Sequence, residues 1–187
     1  MKKKLLLAGL MVLALPVSAS AWAPEGNSFE VQLEYLSGKA MSYKDRHINT
    51  YNIHLYRKWR NLHAMQMYYG LTLQRAIGYT TEDGIYRDSQ AVGIGPSLMV
   101  RWERRLTGKL YGSIDAAGSF MLYNHAHPGG GRIYNFFWRA GPRLIWRAND
   151  TDAVGLGWMW THTSNGWSSH NPGYNGAGFN LSFQHRF

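Results

Sequence analysis

Short segments in which apolar and polar residues alternate recur along this chain, and they constrain the fold more than any other feature. Side chains alternate between the two faces of a β-strand, so an alternation with period two predicts strands. Eight such segments can be read, at 29–36, 48–59, 64–73, 92–102, 110–122, 136–146, 154–164 and 177–187. In most of them one face of the strand is apolar and the other is polar, which indicates an antiparallel sheet.

The connections between these segments alternate in length. Three are short, around Arg60-Asn61, around Thr107-Gly108 and around Ala148-Asn149-Asp150. Four are longer, at 37–49, 78–90, 123–135 and 165–175. Eight strands joined by short and long turns in alternation are typical of an outer-membrane barrel, whose short turns lie in the periplasm. The sequence therefore predicts an all-β fold, an eight-stranded antiparallel transmembrane β-barrel.

The last segment supports a barrel, although a soluble alternative stays open. Phe179, Leu181 and Phe183 share one parity, and the chain ends on Phe187, as in the signal by which outer-membrane barrels are recognised for insertion. The alternative is a soluble sandwich or a lipocalin-like barrel with the apolar faces inside. The 8 Trp, 12 Tyr and polar mean hydropathy of −0.35 fit a barrel with a lipid face and a polar lumen. In a soluble core, each buried indole N–H would need a partner.

The first residues predict export, and the remainder predicts one domain. Lys2, Lys3 and Lys4 precede an apolar run and a small-residue cleavage site, Ala19-Ser20-Ala21. Residues 1–21 are therefore interpreted as a signal peptide and 22–187 as the outer-membrane β-barrel domain. The chain has no cysteine and a formal charge of +9. A basic surface suits lipid phosphates, and an exported chain is not expected to bind nucleic acid.

A histidine and a serine two residues apart mark the candidate site. His162 and Ser164 share a parity with Trp158 and Trp160, so all four are expected on the lipid-facing side of one strand. This strand runs outward, which puts His162 and Ser164 near its extracellular end. The outer leaflet there holds lipopolysaccharide, so a serine beside a histidine could attack an acyl ester of lipid A.

Such chemistry needs a third group to orient the histidine and donors for an oxyanion. Asn175 begins the next strand with outward parity, so its amide oxygen could accept a hydrogen bond from the imidazole of His162. The backbone N–H groups of Asn165 and Gly166 follow the serine and are the oxyanion candidates.

The segment His162-Thr163-Ser164-Asn165, the turn Asn171-Pro172-Gly173 and the terminal strand together resemble the PagL family of lipid A 3-O-deacylases. The resemblance covers about the last 30 residues and implies a hydrolase of carboxylic ester bonds, with His162 as base and Ser164 as nucleophile. It implies no cofactor and no metal. The family's acidic residue on the last strand is not matched, and Asn175 stands in its approximate place.

Other interpretations remain open at this stage. A non-enzymatic barrel of structural or adhesive type is the main alternative, and a barrel acyltransferase is a further one. The sequence leaves open a homodimer, the acyl position and the chain length. His125 and His127 have the spacing of a metal pair but no third ligand nearby, so no metal site is predicted. Five charged residues are expected to fill the lumen: Arg101, Glu103, Asp115, Arg139 and Arg143.

Overall fold

The computed structural model describes residues 27–41, 46–166 and 170–187, so the predicted signal peptide lies outside the described residues. The described chain forms nine β-strands and one short 3-10 helix, Gly38–Met41. The strands are β1 Ser28–Ser37, β2 Arg46–Leu62, β3 Met65–Glu82, β4 Ile85–Asp88, β5 Ala91–Thr107, β6 Leu110–His127, β7 Arg132–Arg147, β8 Asp152–Ser164 and β9 Tyr174–Arg186. No helix in this part of the chain is long and apolar enough to cross a membrane.

Eight of the strands close into a ring of antiparallel neighbours. The order runs β2-β1-β9-β8-β7-β6-β5-β3, and β2 also pairs with β3. The ring closes where β1 pairs with β9, from Ser28 opposite Arg186 to Ser37 opposite Ala177. Closure leaves none of these eight strands as an unpaired edge. The prediction of an all-β, eight-stranded antiparallel barrel is confirmed.

Two of the predicted long loops are largely strand. β3 continues to Glu82 and pairs with β4 across the two-residue turn Asp83-Gly84, whose φ angles of 53° and 75° fit a type I′ hairpin. Likewise β6 continues to His127, and β7 begins at Arg132. The sequence did not predict these extensions because strands outside the membrane need no apolar face, and so they lack the alternation.

The first short turn was also placed wrongly. It lies at His63-Ala64, after the predicted Arg60-Asn61, because the register of β2 and β3 shifts between Lys58 and Arg60. Such a bulge adds a residue to one strand and delays the turn.

The apolar faces point out of the barrel, which excludes the soluble alternative. In the last strand Phe179, Leu181 and Phe183 are half or more exposed, whereas the intervening Asn180 and Ser182 are buried. Every strand of the ring repeats this pattern, and its exposed side chains include Leu33, Ile53, Tyr69, Leu98, Trp102, Ile114, Trp138, Leu144 and Trp160. Exposed apolar side chains outside and polar side chains within are the pattern of a barrel surrounded by lipid.

The lumen is filled by an ion-pair network. Arg101 donates to both carboxylate oxygens of Asp115 (2.9 and 2.8 Å) and to both of Glu30 (2.8 and 2.9 Å). Arg143 joins the same two carboxylates, and Arg139 pairs with Glu34 at 2.8 Å. The expected luminal positions of Arg101, Asp115, Arg139 and Arg143 are confirmed. Glu103 also faces inward, with a side chain only 5% exposed, and pairs with Arg147 near the periplasmic end. Eight strands leave an interior that side chains fill, and the network fills it here.

Candidate active site

The structure brings His162 and Asn175 together on the outer surface. The two residues are directly opposite each other in the antiparallel pairing of β8 with β9. His162 Nδ1 lies 2.7 Å from Asn175 Oδ1. A carbonyl oxygen can only accept, so Nδ1 carries the proton and Nε2 keeps its lone pair. The imidazole is therefore held in the tautomer that a general base requires.

Ser164 occupies the next outward position on β8 and is half-buried, whereas His162 is exposed. Among the described residues, no direct hydrogen bond joins the two side chains, and such contacts often tighten only when substrate binds. The position of Gly173 shows how close the side chains of His162 and Ser164 are to each other. A Cβ atom built onto Gly173 would lie 3.2 Å from Ser164 Cβ and 3.5 Å from His162 Cε1. The missing side chain of Gly173 therefore leaves open the space beside both functional groups.

Aromatic rings flank the pair on the neighbouring strand. Trp138 of β7 is opposite His162, and Phe136 is opposite Ser164. Trp138 is 55% exposed and Trp160 47%, so large apolar surfaces face outward on two sides of His162. Aromatic side chains at this level of a barrel lie at the boundary between acyl chains and headgroups. Ser164 thus lies on the outer face of the barrel beside exposed aromatic rings.

The two oxyanion candidates have different surroundings. The N–H of Asn165 donates to Asn171 Oδ1 at 3.0 Å, and its buried side chain donates to the carbonyl of His170 at 3.1 Å. Asn165 is therefore engaged in holding the loop, and its amide could bind an oxyanion only after Asn171 moves. Gly166 lies beside the ring of Phe136 and has a φ of +79°, which favours glycine. Its carbonyl accepts from Asn171 Nδ2 at 2.7 Å.

Two residues near the site, Asn171 and Arg46, were not predicted to have a role. Asn171 bridges the two ends of the loop through Asn165 and Gly166. Arg46 donates to the carbonyl of Gly173 and also lies 3.4 Å from Glu82, so it ties the loop to the start of β2 and the end of β3. The turn Asn171-Pro172-Gly173 was visible in the sequence, but nothing there indicated what its side chains bind. The contact of Arg46 joins segments more than a hundred residues apart and leaves no local pattern.

His127 is a buried structural residue. Its Nδ1 donates to the carbonyl of Ser89 at 2.9 Å, and its Nε2 accepts from the hydroxyl of Tyr174 at 2.9 Å. Both ring nitrogens are thus occupied by protein groups, which leaves no lone pair for a metal. No group of three or more metal-binding side chains occurs among residues 27–41, 46–166 and 170–187.

Comparison with known proteins adds two structural likenesses. No family model and no curated protein sequence matches the chain. The outer membrane enzyme PagL superposes with a TM-score of 0.54 at 16% identity, over 84% of this chain and 99% of that one. Neisserial surface protein A (NspA) superposes with a TM-score of 0.51 at 8% identity, over 86% of this chain and 96% of that one. These likenesses and the apolar outer face confirm the predicted barrel fold of the bacterial outer membrane.

Proposed function

We propose that this protein is an outer-membrane serine esterase that hydrolyses an ester-linked acyl chain of lipid A. The observation that carries the proposal is the 2.7 Å hydrogen bond between His162 Nδ1 and Asn175 Oδ1, on the lipid-facing side beside Ser164. A soluble esterase would bury these groups in a cleft. Here they face the outer leaflet, where lipopolysaccharide supplies acyl esters.

In the proposed reaction, Ser164 Oγ attacks the ester carbonyl while His162 Nε2 takes the hydroxyl proton. The tetrahedral intermediate collapses, the acyl chain remains on Ser164, and the lipid alkoxide leaves with the proton from His162. Water then attacks the acyl-serine, again with His162 as base, and releases the fatty acid. The N–H of Gly166 is the candidate oxyanion donor, joined by that of Asn165 if Asn171 releases it.

An asparagine as the orienting group has a definite consequence. Asn175 fixes the tautomer of His162 through its carbonyl oxygen, but it has no charge with which to stabilise the imidazolium formed during the reaction. The proposed enzyme is therefore expected to be slower than one with a carboxylate at this position. The resemblance to lipid A 3-O-deacylases suggests the ester at the 3 position as the bond cleaved.

The second candidate is a non-enzymatic surface barrel. The structural likeness to a surface protein is nearly as good as the likeness to an enzyme. The missing hydrogen bond between His162 and Ser164 is also compatible with a structural role for both residues.

Mass spectrometry of lipid A incubated with the purified barrel tests the proposal. We expect loss of one acyl chain with the wild-type protein and no loss with Ser164→Ala or His162→Ala, while heat-modifiable gel mobility shows that both variants remain folded. Because the pair acts as a unit, the double variant should be no worse than either single one. Asn175→Ala should slow hydrolysis and Asn175→Asp should preserve or raise it. Unchanged deacylation by Ser164→Ala would leave the surface-barrel interpretation.

A further inference from the structure

A second polar cluster lies on the outer face, on the opposite side of the ring from His162. Arg75 of β3 is exposed and has the same parity as the outward-facing Ile77. Its guanidinium donates to Gln90 Oε1 at 3.2 Å. Among the described residues, no carboxylate lies within ion-pair distance of Arg75. An arginine on the lipid face with no acidic partner is costly unless its charge is met by something outside the chain.

Neighbouring strands add polar groups beside Arg75. On β6, Asn124 Oδ1 accepts the N–H of Val92 at 3.0 Å, and Val92 is opposite Arg75. His125 donates from its ring to the carbonyl of Gln90. The N–H of Gln90 donates to Asp88 at 3.0 Å. The amides of Gln90 and Asn124 and the imidazole of His125 are all exposed, so they add hydrogen-bonding groups to the outer face near Arg75.

The depth of Arg75 fits a lipid headgroup. Arg75 lies ten residues after Met65, the first residue of β3, and His162 lies ten residues after Asp152, the first residue of β8. A strand crosses a bilayer in about 9–11 residues. Both side chains therefore reach the boundary between the acyl chains and headgroups of the outer leaflet.

Below Arg75 the barrel surface offers space for acyl chains. A shallow, mainly apolar groove of about 680 Å³ is lined on β3 by Leu73 and Arg75 and extends over β2 and β1 towards Leu181 of β9. Strands lie about 4.8 Å apart, so this groove is wide enough for several acyl chains side by side. A phosphate group above several acyl chains is the chemistry of lipid A.

We propose that Arg75, with Gln90 and Asn124, binds a phosphate of lipid A while its acyl chains lie in the adjacent groove. Guanidinium pairs with phosphate through short, charge-assisted hydrogen bonds, and amide groups can supply more. This site would hold a lipopolysaccharide molecule against the barrel without acting on it. The inference depends on the outer-membrane location but not on catalysis by Ser164.

The test measures binding of bisphosphorylated lipid A in detergent by native mass spectrometry, with Ser164→Ala in every protein so that no lipid is hydrolysed. Arg75→Gln should raise the Kd about tenfold, the loss expected for one charged hydrogen bond. Arg57→Gln is the matched control, because Arg57 is also exposed and outward-facing but lies near the periplasmic end of β2. Its Kd should stay at the value of the parent protein.

Two further measurements identify the ligand. Dephosphorylated lipid A should bind the parent protein and Arg75→Gln equally, and phosphatidylglycerol should compete poorly with lipid A. The proposal is overturned if Arg75→Gln binds as tightly as the parent, or if Arg57→Gln weakens binding as much. It is also overturned if phosphatidylglycerol competes as well as lipid A, since any anionic lipid would then suffice.

Discussion

Gly173→Ala is a sharp test of the candidate site, because it adds a single methyl group beside Ser164 and His162. In Gly173→Ala the new Cβ atom would lie 2.9 Å from the carbonyl oxygen of Thr163 and 3.2 Å from Ser164 Cβ. The φ of Gly173 is not in the left-handed region, so alanine can adopt the backbone. Ordinary contacts begin at 3.4 Å, so the loop must retreat by about half an ångström.

That displacement allows the effect on the rate to be worked out. A misplacement of 1 Å in a reacting group can cost about 100-fold in rate, so half of it should cost about tenfold. Crowding of this size destabilises a fold by about 1–3 kcal/mol, which leaves a barrel folded at room temperature. We therefore expect kcat for release of fatty acid from lipid A to fall about tenfold, with heat-modifiable mobility retained.

Gly112→Ala is the control for this experiment. Gly112 lies near the periplasmic end of β6, and the three atoms nearest to a Cβ atom there all belong to the flexible side chain of Leu106, at 3.3–3.5 Å. Its kcat should equal that of the wild-type protein. If Gly173→Ala hydrolyses lipid A at the wild-type rate, the space between His162 and Ser164 is not where the ester binds, and the assignment of the site is refuted.

Two further predictions concern the barrel itself. Asp115→Asn removes one of the two carboxylates that Arg101 and Arg143 share and leaves one positive charge in the lumen without a counter-charge. The free energy of unfolding should fall by about 3–5 kcal/mol, measured in guanidinium with exposed Asp83→Asn as the control. Equal midpoints for the two variants would show that the ion pairs to Asp115 contribute nothing. His127 lies beyond the membrane-spanning part of β6, and burial lowers its pKa from 6.5 to about 4. The unfolded chain therefore binds the proton more readily, so about 3 kcal/mol of stability should be lost as the pH falls from 6.5 to 4. The contribution of His127 should be absent from His127→Gln, so this variant should lose about 3 kcal/mol less stability between pH 6.5 and 4 than the wild-type protein. An equal loss in the two proteins would assign the pH dependence to another group.

The sequence predicted the faces of the barrel well because a strand repeats every two residues. Because Phe179, Leu181 and Phe183 share a parity, only two orientations of the apolar face were open, towards lipid or towards a soluble core. The 8 Trp favoured lipid, because each buried indole N–H would need a partner. The partners of the luminal arginines were harder to predict. Glu30 and Glu34 lie in β1 and meet arginines from β5 and β7, more than 70 residues away, because the ring closes there. Parity predicts that a charged side chain faces the lumen, but it does not identify the residue with which that side chain forms an ion pair.

The loop before β9 shows the limit of sequence reasoning at the site. Asn165 follows Ser164 directly, which suggested an oxyanion donor, but Asn171 folds back and occupies its N–H. The position of Asn165 beside Ser164 in the sequence therefore does not show that its N–H is already engaged within the loop. The extracellular cluster around Arg75 was missed for a related reason, because its members come from β3, from the link between β4 and β5, and from β6, and they show no common motif.

The meeting of His162 with Asn175 depends on register rather than on either residue alone. The pairing of β8 with β9 sets Trp160 opposite Ala177. It also sets His162 opposite Asn175, and the side chains of His162 and Asn175 both face outward. A slip of one residue would turn every side chain of β9 to the other face. Asn180 and Ser182 would then face lipid, and Phe179 and Leu181 would enter the ion-pair network of the lumen. The cost of that exchange fixes the register, and so the same alternation that makes the barrel also holds Asn175 against His162.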